Sequence, residues 1–329
     1  MPSIAVIVNP HARSHRRHDH AASYAGVLGR HGTVHVTPSP ASIGPLVERW
    51  LTREMPGCIV CDGGDGALHC VLNAAWPRLA ALGLPLPMLL PTGGGTINFV
   101  SRKVGLRGDA VARLRRLVHA TRGGDVPTVP LDTLEVRGAC DDGREFRRLG
   151  FAMAAGGVGQ RFFDRYEEQR RPGPAAIVTI VARAIASLTA GALPGLGRGA
   201  YARALFRPHH ARVVIDGRPV PSTAHGALNA GAIDVELGGI FRVFGQAGAP
   251  GSLHFQAGTV SPREMVENLP ALLGGGRVRA RGLVDAAGER MEVEALGPEL
   301  PCPVIDGERF EGLRRFSVVL GPTVRIAVP

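Results

Sequence analysis

The sequence predicts two parts: an α/β domain on a parallel sheet over residues 1–128, then an antiparallel β-sandwich over 129–329. Three observations predict this. Up to about residue 125, short apolar runs alternate with helix-spaced segments, the pattern of a parallel sheet with helices on both faces. From about Val129 the chain becomes a series of strand-like runs broken by turns. Asp142-Gly143, Asp216-Gly217 and Asp306-Gly307 supply three pairs suited to hairpin turns.

The elements follow in order. Ile4–Val8 is a compact apolar run that ends at Asn9-Pro10, and a polar, basic helix is expected over 16–30. Residues 33–37 alternate as a strand. Residues 38–52 read as a helix with Ser42 as its N-cap. Residues 57–61 form a third strand. Leu68, Val71, Leu72 and Ala75 then fall at i, i+3, i+4 and i+7, one apolar helical face. A fourth strand spans 87–90, a glycine-rich loop and short helix follow, and 109–121 is amphipathic. The boundary falls near 125–130, at "GGDVPTVP". One helical insertion, about 160–190, interrupts the β half, and the last strand is expected to pack back on the first domain.

Composition narrows the function classes. Hydrophobic residues make up 45% of the 329 and mean hydropathy is +0.08, so the chain is globular. Net charge is +10, which favours an anionic partner: nucleic acid, a phosphate-bearing ligand or an anionic membrane surface. Aromatic content of 5% argues against base-stacking platforms, and no nucleic-acid partner is expected. Cys58 and Cys61 read as CxxC, but no second pair exists. Core thiols in a reducing cytoplasm are the expectation, hence a cytoplasmic protein. The N-terminus lacks the basic region of a signal peptide. The apolar stretch 175–196 is interrupted by Arg183 and reads as a buried or surface-lying helix. His11, His15 and His18 share helical spacing without an accompanying acid or cysteine, so a solvated basic face is expected there.

The chemistry sits in two loops. "GGDG" (63–66) follows a buried strand and opens a helix. In an open parallel sheet, ligands bind beyond the carboxyl ends of the strands. Glycines there let the backbone approach a ligand, and helix-start amides favour phosphate. Asp65 cannot contact a phosphate directly; a magnesium ion, a water, a ribose or a neighbouring donor would explain it. "PTGGGTINF" (91–99) follows the next strand in the same way, adding the hydroxyl of Thr96 and the amide of Asn98. The loops read as a site for a nucleotide with a divalent cation. Neither is a Walker A loop or a dinucleotide fingerprint.

Taken in order, "VIVNP" at 6–10, Thr37, "GGDG" with Asn73 downstream, "GGTIN" at 94–98 and "IDGE" at 305–308 resemble the diacylglycerol kinase-like lipid kinases. That family includes sphingosine and ceramide kinases and bacterial homologues. The resemblance implies an α/β nucleotide-binding domain of the NAD kinase/diacylglycerol kinase type, a β-sandwich, and a nucleotide site between them. It implies ATP phosphates against Gly63, Gly64, Gly66, Gly95 and Thr96, with Asn9, Thr37 and Asn98 at the nucleotide and Arg13 reaching a phosphate. Asp65 belongs to the loop's polar network and, with Asp306, would hold Mg2+. Asp306 and Glu308 would serve the reaction, Glu308 as proton acceptor. The implied acceptor is a lipid hydroxyl, of a diacylglycerol-like or sphingoid lipid, met by peripheral contact with an anionic membrane. A homodimer is a compatible assembly. The sequence departs from the family at Ala67, where Thr is usual, at His69 or Cys70, one of which matches a position where an acid is usual, and at Phe99, where Asp is frequent. Two alternatives stand beside the lipid kinase: a catalytically impaired nucleotide- or lipid-binding protein of the same fold, and an NAD kinase.

Overall fold

The computed structural model describes residues 3–10, 20–169, 173–191, 199–237, 241–274 and 276–329. His11, Arg13, His15, His18 and residues 192–196 of the apolar stretch lie outside them. The chain divides into two compact units, Met1–Leu131 with Thr323–Pro329, and Asp132–Pro322.

The first unit runs β1 (Ile4–Val8), α1 (His20–Leu28), β2 (Gly32–Val36), α2 (Ile43–Thr52), β3 (Cys58–Asp62), α3 (Asp65–Ala81), β4 (Met88–Pro91), α4 (Phe99–Lys103), α5 (Ala110–Gly123) and β5 (Thr128–Leu131). The sheet order is β2-β1-β3-β4, then the chain's terminal strand Val324–Ala327, then β5. All pairs are parallel except the last. Every residue of β1 and β3 is buried, as a central strand covered on both faces requires. Tyr24 and Leu28 of α1 and Leu114 and Leu117 of α5 pack with Val6, Val60 and Leu90 on one face. Helices α2 and α3 pack together, with α3 against β3 and β4. Cys58 and Cys61, three apart on a strand, point to opposite faces. Both are buried free thiols; burial pushes Cys58 up to about 12 and raises Cys61 as well.

One local expectation needs correction. Ser42 does not cap α2: its hydroxyl donates to the Ser39 carbonyl at 2.5 Å, inside a short 3-10 turn over Pro40–Ser42. The helix after β3 runs through Pro77 to Ala81. By contrast, α5 begins with a working cap, Asp109 accepting from Ala112 N–H at 2.8 Å.

The second unit runs β6 (Leu134–Cys140), β7 (Glu145–Gly150), β8 (Ala152–Gly156), α6 (Gly157–Glu167), α7 (Pro174–Gly191), α8 (Ala200–Leu205), β9 (His209–Ile215), β10 (Arg218–Pro219), β11 (Ala224–His225), β12 (Ala227–Gly231), β13 (Val235–Leu237) and β14 (Phe241–Val243). It continues with β15 (Leu253–Thr259), α9 (Pro262–Glu267), α10 (Leu269–Gly274), β16 (Gly282–Gly288), β17 (Arg290–Ala295), β18 (Val304–Ile305), β19 (Glu308–Arg309) and β20 (Leu313–Leu320). Two antiparallel sheets, β10-β9-β17-β20-β6-β7 and β16-β15-β12-β8-β18-β19, share one core. Val136, Val213, Val293 and Phe316 come from the first sheet, and Met153, Leu228, Phe255 and Ile305 from the second. This is the expected sandwich. The helical content exceeds the single insertion expected, because α8, α9 and α10 are short pieces whose periodicity is too brief to register. Among the described residues, no helix is long and apolar enough to cross a membrane.

His209 and His225 face each other across β9 and β11. Both are buried, and His209 Nε2 and His225 Nδ1 have no hydrogen-bond partner among the described residues. Burial lowers the pKa of each below the ordinary 6.5. Since the folded state holds them neutral, the unfolded chain binds more protons below that value. Their contribution is complete above pH 6.5 and is lost as pH falls toward the depressed folded values. The melting temperature is therefore expected to fall on acidification, before the carboxylates titrate near about pH 4. A His209→Phe variant should show a shallower fall in the same calorimetric series; an unchanged slope would assign the effect elsewhere.

Candidate functional site

Strand order reverses between β1 and β3: β1 leads outward to β2, and β3 leads the other way to β4. Register aligns the strand ends, with Val8 opposite both Val36 and Asp62, and Cys61 opposite Pro91. Asn9, Thr37, Gly63 and Thr92 therefore leave one edge of the sheet side by side. Such a switch point is where open α/β sheets hold ligands. Thr37 is buried there, its N–H and hydroxyl both donating to the Val8 carbonyl at 3.0 and 3.1 Å. Asn9 is half-buried beside it.

The two glycine loops are bolted to each other by backbone. Gly94 N–H donates to the Gly63 carbonyl at 2.7 Å. A Cβ on Gly64 would lie 2.6 Å from Gly95 Cα, and a Cβ on Gly95 would lie 2.4 Å from Gly64 Cα. Neither backbone can retreat, so glycine is required at both positions for the loops to meet. Gly63 adds a φ of 147°.

Asp65, the buried first residue of α3, spans the same gap. Its Oδ2 accepts from Phe99 N–H at 3.0 Å and its Oδ1 from Val100 N–H at 3.2 Å. Of the partners open to this carboxylate, the structure supplies neighbouring donors. The Asp thereby ties the first loop to the start of α4. Asn98, with φ 55°, organises the second loop from within: Oδ1 accepts from Gly95 N–H at 3.0 Å, and Nδ2 donates to the Gly93 and Gly95 carbonyls, each at 2.8 Å. Thr96 sits half-buried in this loop, between Gly95 and Asn98. Gly66 and Ala67 lie in the first turn of α3, where Ala67 N–H is already bonded to the Gly64 carbonyl at 3.1 Å.

Beneath the loops lies a network that the sequence reading missed. Asp62 is 1% exposed, and its Oδ1 accepts from the Tyr24 hydroxyl at 2.7 Å and the Thr92 hydroxyl at 2.8 Å. Thr92 Oγ1 in turn accepts from Gly63 N–H at 3.0 Å. Burial and the Asp62 carboxylate raise the Tyr24 pKa far above its usual value, so it remains a donor. Arg113 is buried too, its guanidinium donating to the carbonyls of Thr92 at 2.6 Å, Pro91 at 3.3 Å and Leu106 at 2.9 Å. Burial lowers its pKa, yet arginine keeps its proton. A Cβ on Gly93 would meet Arg113 Nη1 at 2.6 Å, so the glycine makes room for the cation. The available signal was an arginine on the buried stripe of α5, level with Leu114 and Leu117. The result is a floor of main-chain groups over a buried carboxylate and a buried guanidinium, both hydrogen-bonded.

In the second unit, Asp306-Gly307 makes the turn between β18 and β19, with φ of 52° and 92°. Asp306 is buried and its Oδ1 accepts from Phe151 N–H at 2.8 Å and Ala152 N–H at 3.0 Å. Asp216 does the same work elsewhere, at φ 49°, accepting from Glu289 and Arg290 N–H at 3.0 and 2.8 Å. The first task of the Asp306 carboxylate is thus to latch a strand turn. Glu308, opposite Ile305 on β19, is exposed.

The second unit also holds an apolar cavity of about 190 Å³ between the outer face of the β12–β15 sheet and helices α6, α7, α8 and α9. Phe162, Ile180, Ala184, Leu188 and Met265 are among its walls, and Asn229 and Gln256 are its polar side chains. An engineered cavity of about 150 Å³ in another protein admits benzene, so there is room here for a slender apolar chain.

Residues 3–129 match the family model described as the diacylglycerol kinase catalytic domain. The fold resembles a solved structure of a putative diacylglycerol kinase from Bacillus anthracis str. Sterne, with a TM-score of 0.65 at 15% identity over 100% of this chain and 98% of that one. A second diacylglycerol kinase structure from the same organism gives 0.61 at 14% identity, over 100% and 97%. No curated protein matches the chain in sequence.

The loop geometry makes a prediction. Gly64→Ala and Gly95→Ala should each force the loops apart, lowering stability by about 1–3 kcal/mol and weakening nucleotide binding. Gly123→Ala, with open space around its Cβ position, is the control and should be neutral or slightly stabilising. Thermal melts and nucleotide titrations check both. Equal melts for all three variants would overturn the packing role of the glycines.

Proposed function

We propose, from the family to which residues 3–129 belong, that of the diacylglycerol kinase catalytic domain, that this chain is an ATP-dependent lipid kinase. The observation that carries the reading is the pair of glycine loops joined backbone to backbone at the sheet's switch point, over Arg113. Phosphoryl transfer needs a held γ-phosphate, neutralised charge and a place for the hydroxyl proton. The main chain of Gly63–Gly66 and Gly95–Thr96 is assigned to the phosphates, the N–H groups of Gly63 and Gly95 being already given to Thr92 Oγ1 and Asn98 Oδ1, with Asn9 and Thr37 at the nucleotide. Preorganised main-chain donors need no rearrangement as charge shifts. Glu308 is assigned the proton of the attacking hydroxyl, and Asp306 holds the turn that presents it.

Among the described residues, no group of three or more His, Cys, Asp or Glu gathers to hold a metal ion. Magnesium is commonly held by one or two carboxylates and the substrate's own phosphates rather than a protein cage. Bound magnesium would neutralise phosphate charge. Asp65 and Asp306 are the carboxylates assigned to its neighbourhood, although both already accept backbone N–H groups.

The acceptor is assigned as a lipid hydroxyl because the second unit's cavity is walled by apolar side chains. Net charge of +10 and the exposed Val178 and Leu273 support contact with an anionic membrane surface.

Labelled ATP offered with a fractionated lipid panel is expected to give a phosphorylated lipid. Nucleotide binding without any lipid product would favour the impaired binding protein instead. Glu308→Gln should cut turnover about 100-fold or more at an unchanged melting temperature. Asp65→Asn removes one acceptor from a buried bolt, so it should lower both turnover and stability, the latter by about 1–3 kcal/mol. Parental turnover in both variants would sink these assignments. Activity on anionic vesicles should fall as salt rises; indifference to salt would remove the membrane contact.

A further inference from the structure

Asn229, Gln256 and Asp285 stand side by side on β12, β15 and β16: Asn229 is opposite Gln256, and Gln256 is opposite Asp285. Their neighbours Leu228, Ala230, Phe255 and Ala257 point the other way, into the sandwich core. The three polar side chains thus form a row on the sheet's outer face, the face that floors the apolar cavity.

The direction of hydrogen bonding along this row is determined from one end. Asp285 is buried and accepts from His254, from Gln246 Nε2 at 2.7 Å, from Val278 N–H at 3.1 Å and from Gln256 Nε2 at 3.4 Å. Burial acts to raise its pKa, but these donors, His254 first, hold it below the usual value. An ionised carboxylate only accepts, so Gln256 must turn its amide nitrogen to Asp285 and its oxygen to Asn229. Asn229 Nδ2 then donates to Gln256 Oε1 at 3.3 Å. The end of the row is therefore Asn229 Oδ1. This oxygen is buried and has no hydrogen-bond partner among the described residues. Gly159, another cavity residue, makes space for it: a Cβ there would lie 2.4 Å from Oδ1.

A buried acceptor without a donor is costly, by about the desolvation of the group. It sits in a row held by four donors on Asp285, at the floor of a cavity that is otherwise apolar. We propose that the cavity takes an apolar chain bearing a hydrogen-bond donor, a hydroxyl or an amide N–H, that Asn229 Oδ1 accepts this donor, and that Asn229 thereby selects among lipids of equal bulk. The proposal deepens the lipid-kinase reading and rests on its assignment of the lipid to this cavity. Its chemistry is separable: recognition of the donor requires neither ATP nor phosphoryl transfer.

The test compares two isomers, octanol and methyl heptyl ether, which match in formula and bulk but differ in having a donor. Titrated calorimetrically into the full chain without nucleotide, octanol is expected to bind about tenfold more tightly. In Asn229→Leu the ratio should fall to about one, with ether binding retained as evidence that the cavity still forms. Ala184→Phe, which fills the cavity, should abolish binding of both. Equal affinities in the parent, a ratio unchanged by Asn229→Leu, or octanol binding that survives Ala184→Phe would each overturn the proposal. So would failure of both isomers to bind. A parallel assay of lipid phosphorylation separates the two readings. A tenfold ratio without lipid product sinks the kinase and leaves this site standing; lipid product with a ratio of one does the reverse.

Discussion

The contact on which the first unit's loop architecture depends is that of one α-carbon on another, Gly64 against Gly95. Two loops that leave neighbouring parallel strands ordinarily diverge, because side chains keep them apart. Here both side chains are deleted at the point of approach. The Gly94–Gly63 hydrogen bond, the Asp65 bridge to Phe99 and Val100, and the internal bonds of Asn98 can then form together. The buried layer below serves the same contact. Asp62 receives two hydroxyls, and Arg113 collects the carbonyls that would otherwise face inward unsatisfied. Removing the approach of the loops would leave each of these groups without its purpose.

Legibility in the sequence followed the range of the physics. Strands β1, β3 and β4 were readable because a strand buried on both faces is a continuous apolar run, the edge strand β2 because it alternates, and α5 because its stripe has the helical period. The Asp-Gly turns were readable because the dipeptide itself prefers the conformation that a tight hairpin needs; at 216–217 and 306–307 both residues have positive φ. The loops were recognisable as glycine loops at strand ends, but the reason for two of their glycines was not, since Gly64 and Gly95 answer to each other across 31 residues of chain. The same limit hid Tyr24, Thr92 and Arg113, whose partners lie far along the sequence. Ser42 failed as a cap for a local reason: a 3-10 turn ahead of α2 claimed its hydroxyl.

The second unit shows how one ionised group can impose an orientation on others that carry no charge. Asp285 accepts and cannot donate. An amide on a neighbouring strand must therefore present nitrogen on one side and oxygen on the other, and the next amide repeats the constraint. Strand register, with Asn229, Gln256 and Asp285 in one row, makes the transmission possible. A one-residue slip of β15 would turn Gln256 into the sandwich core and break the row. The register of a sheet and the polarity of a cavity floor are thus one specification.

The positions where this chain departs from the usual residues of the family it resembles acquire a physical reading from the same geometry. At 67 the main chain is already engaged, its N–H bonded to the Gly64 carbonyl. At 99 the N–H serves Asp65 while the aromatic side chain is buried. At both positions the identified work belongs to the backbone, which any residue except proline can perform. A loop contact built from main-chain groups tolerates divergence in its side chains so long as the glycines that permit the approach, and the Asp that spans it, remain. The same geometry locates the intolerant positions, 64, 65 and 95, where either the absence of a side chain or its charge is what brings the loops together.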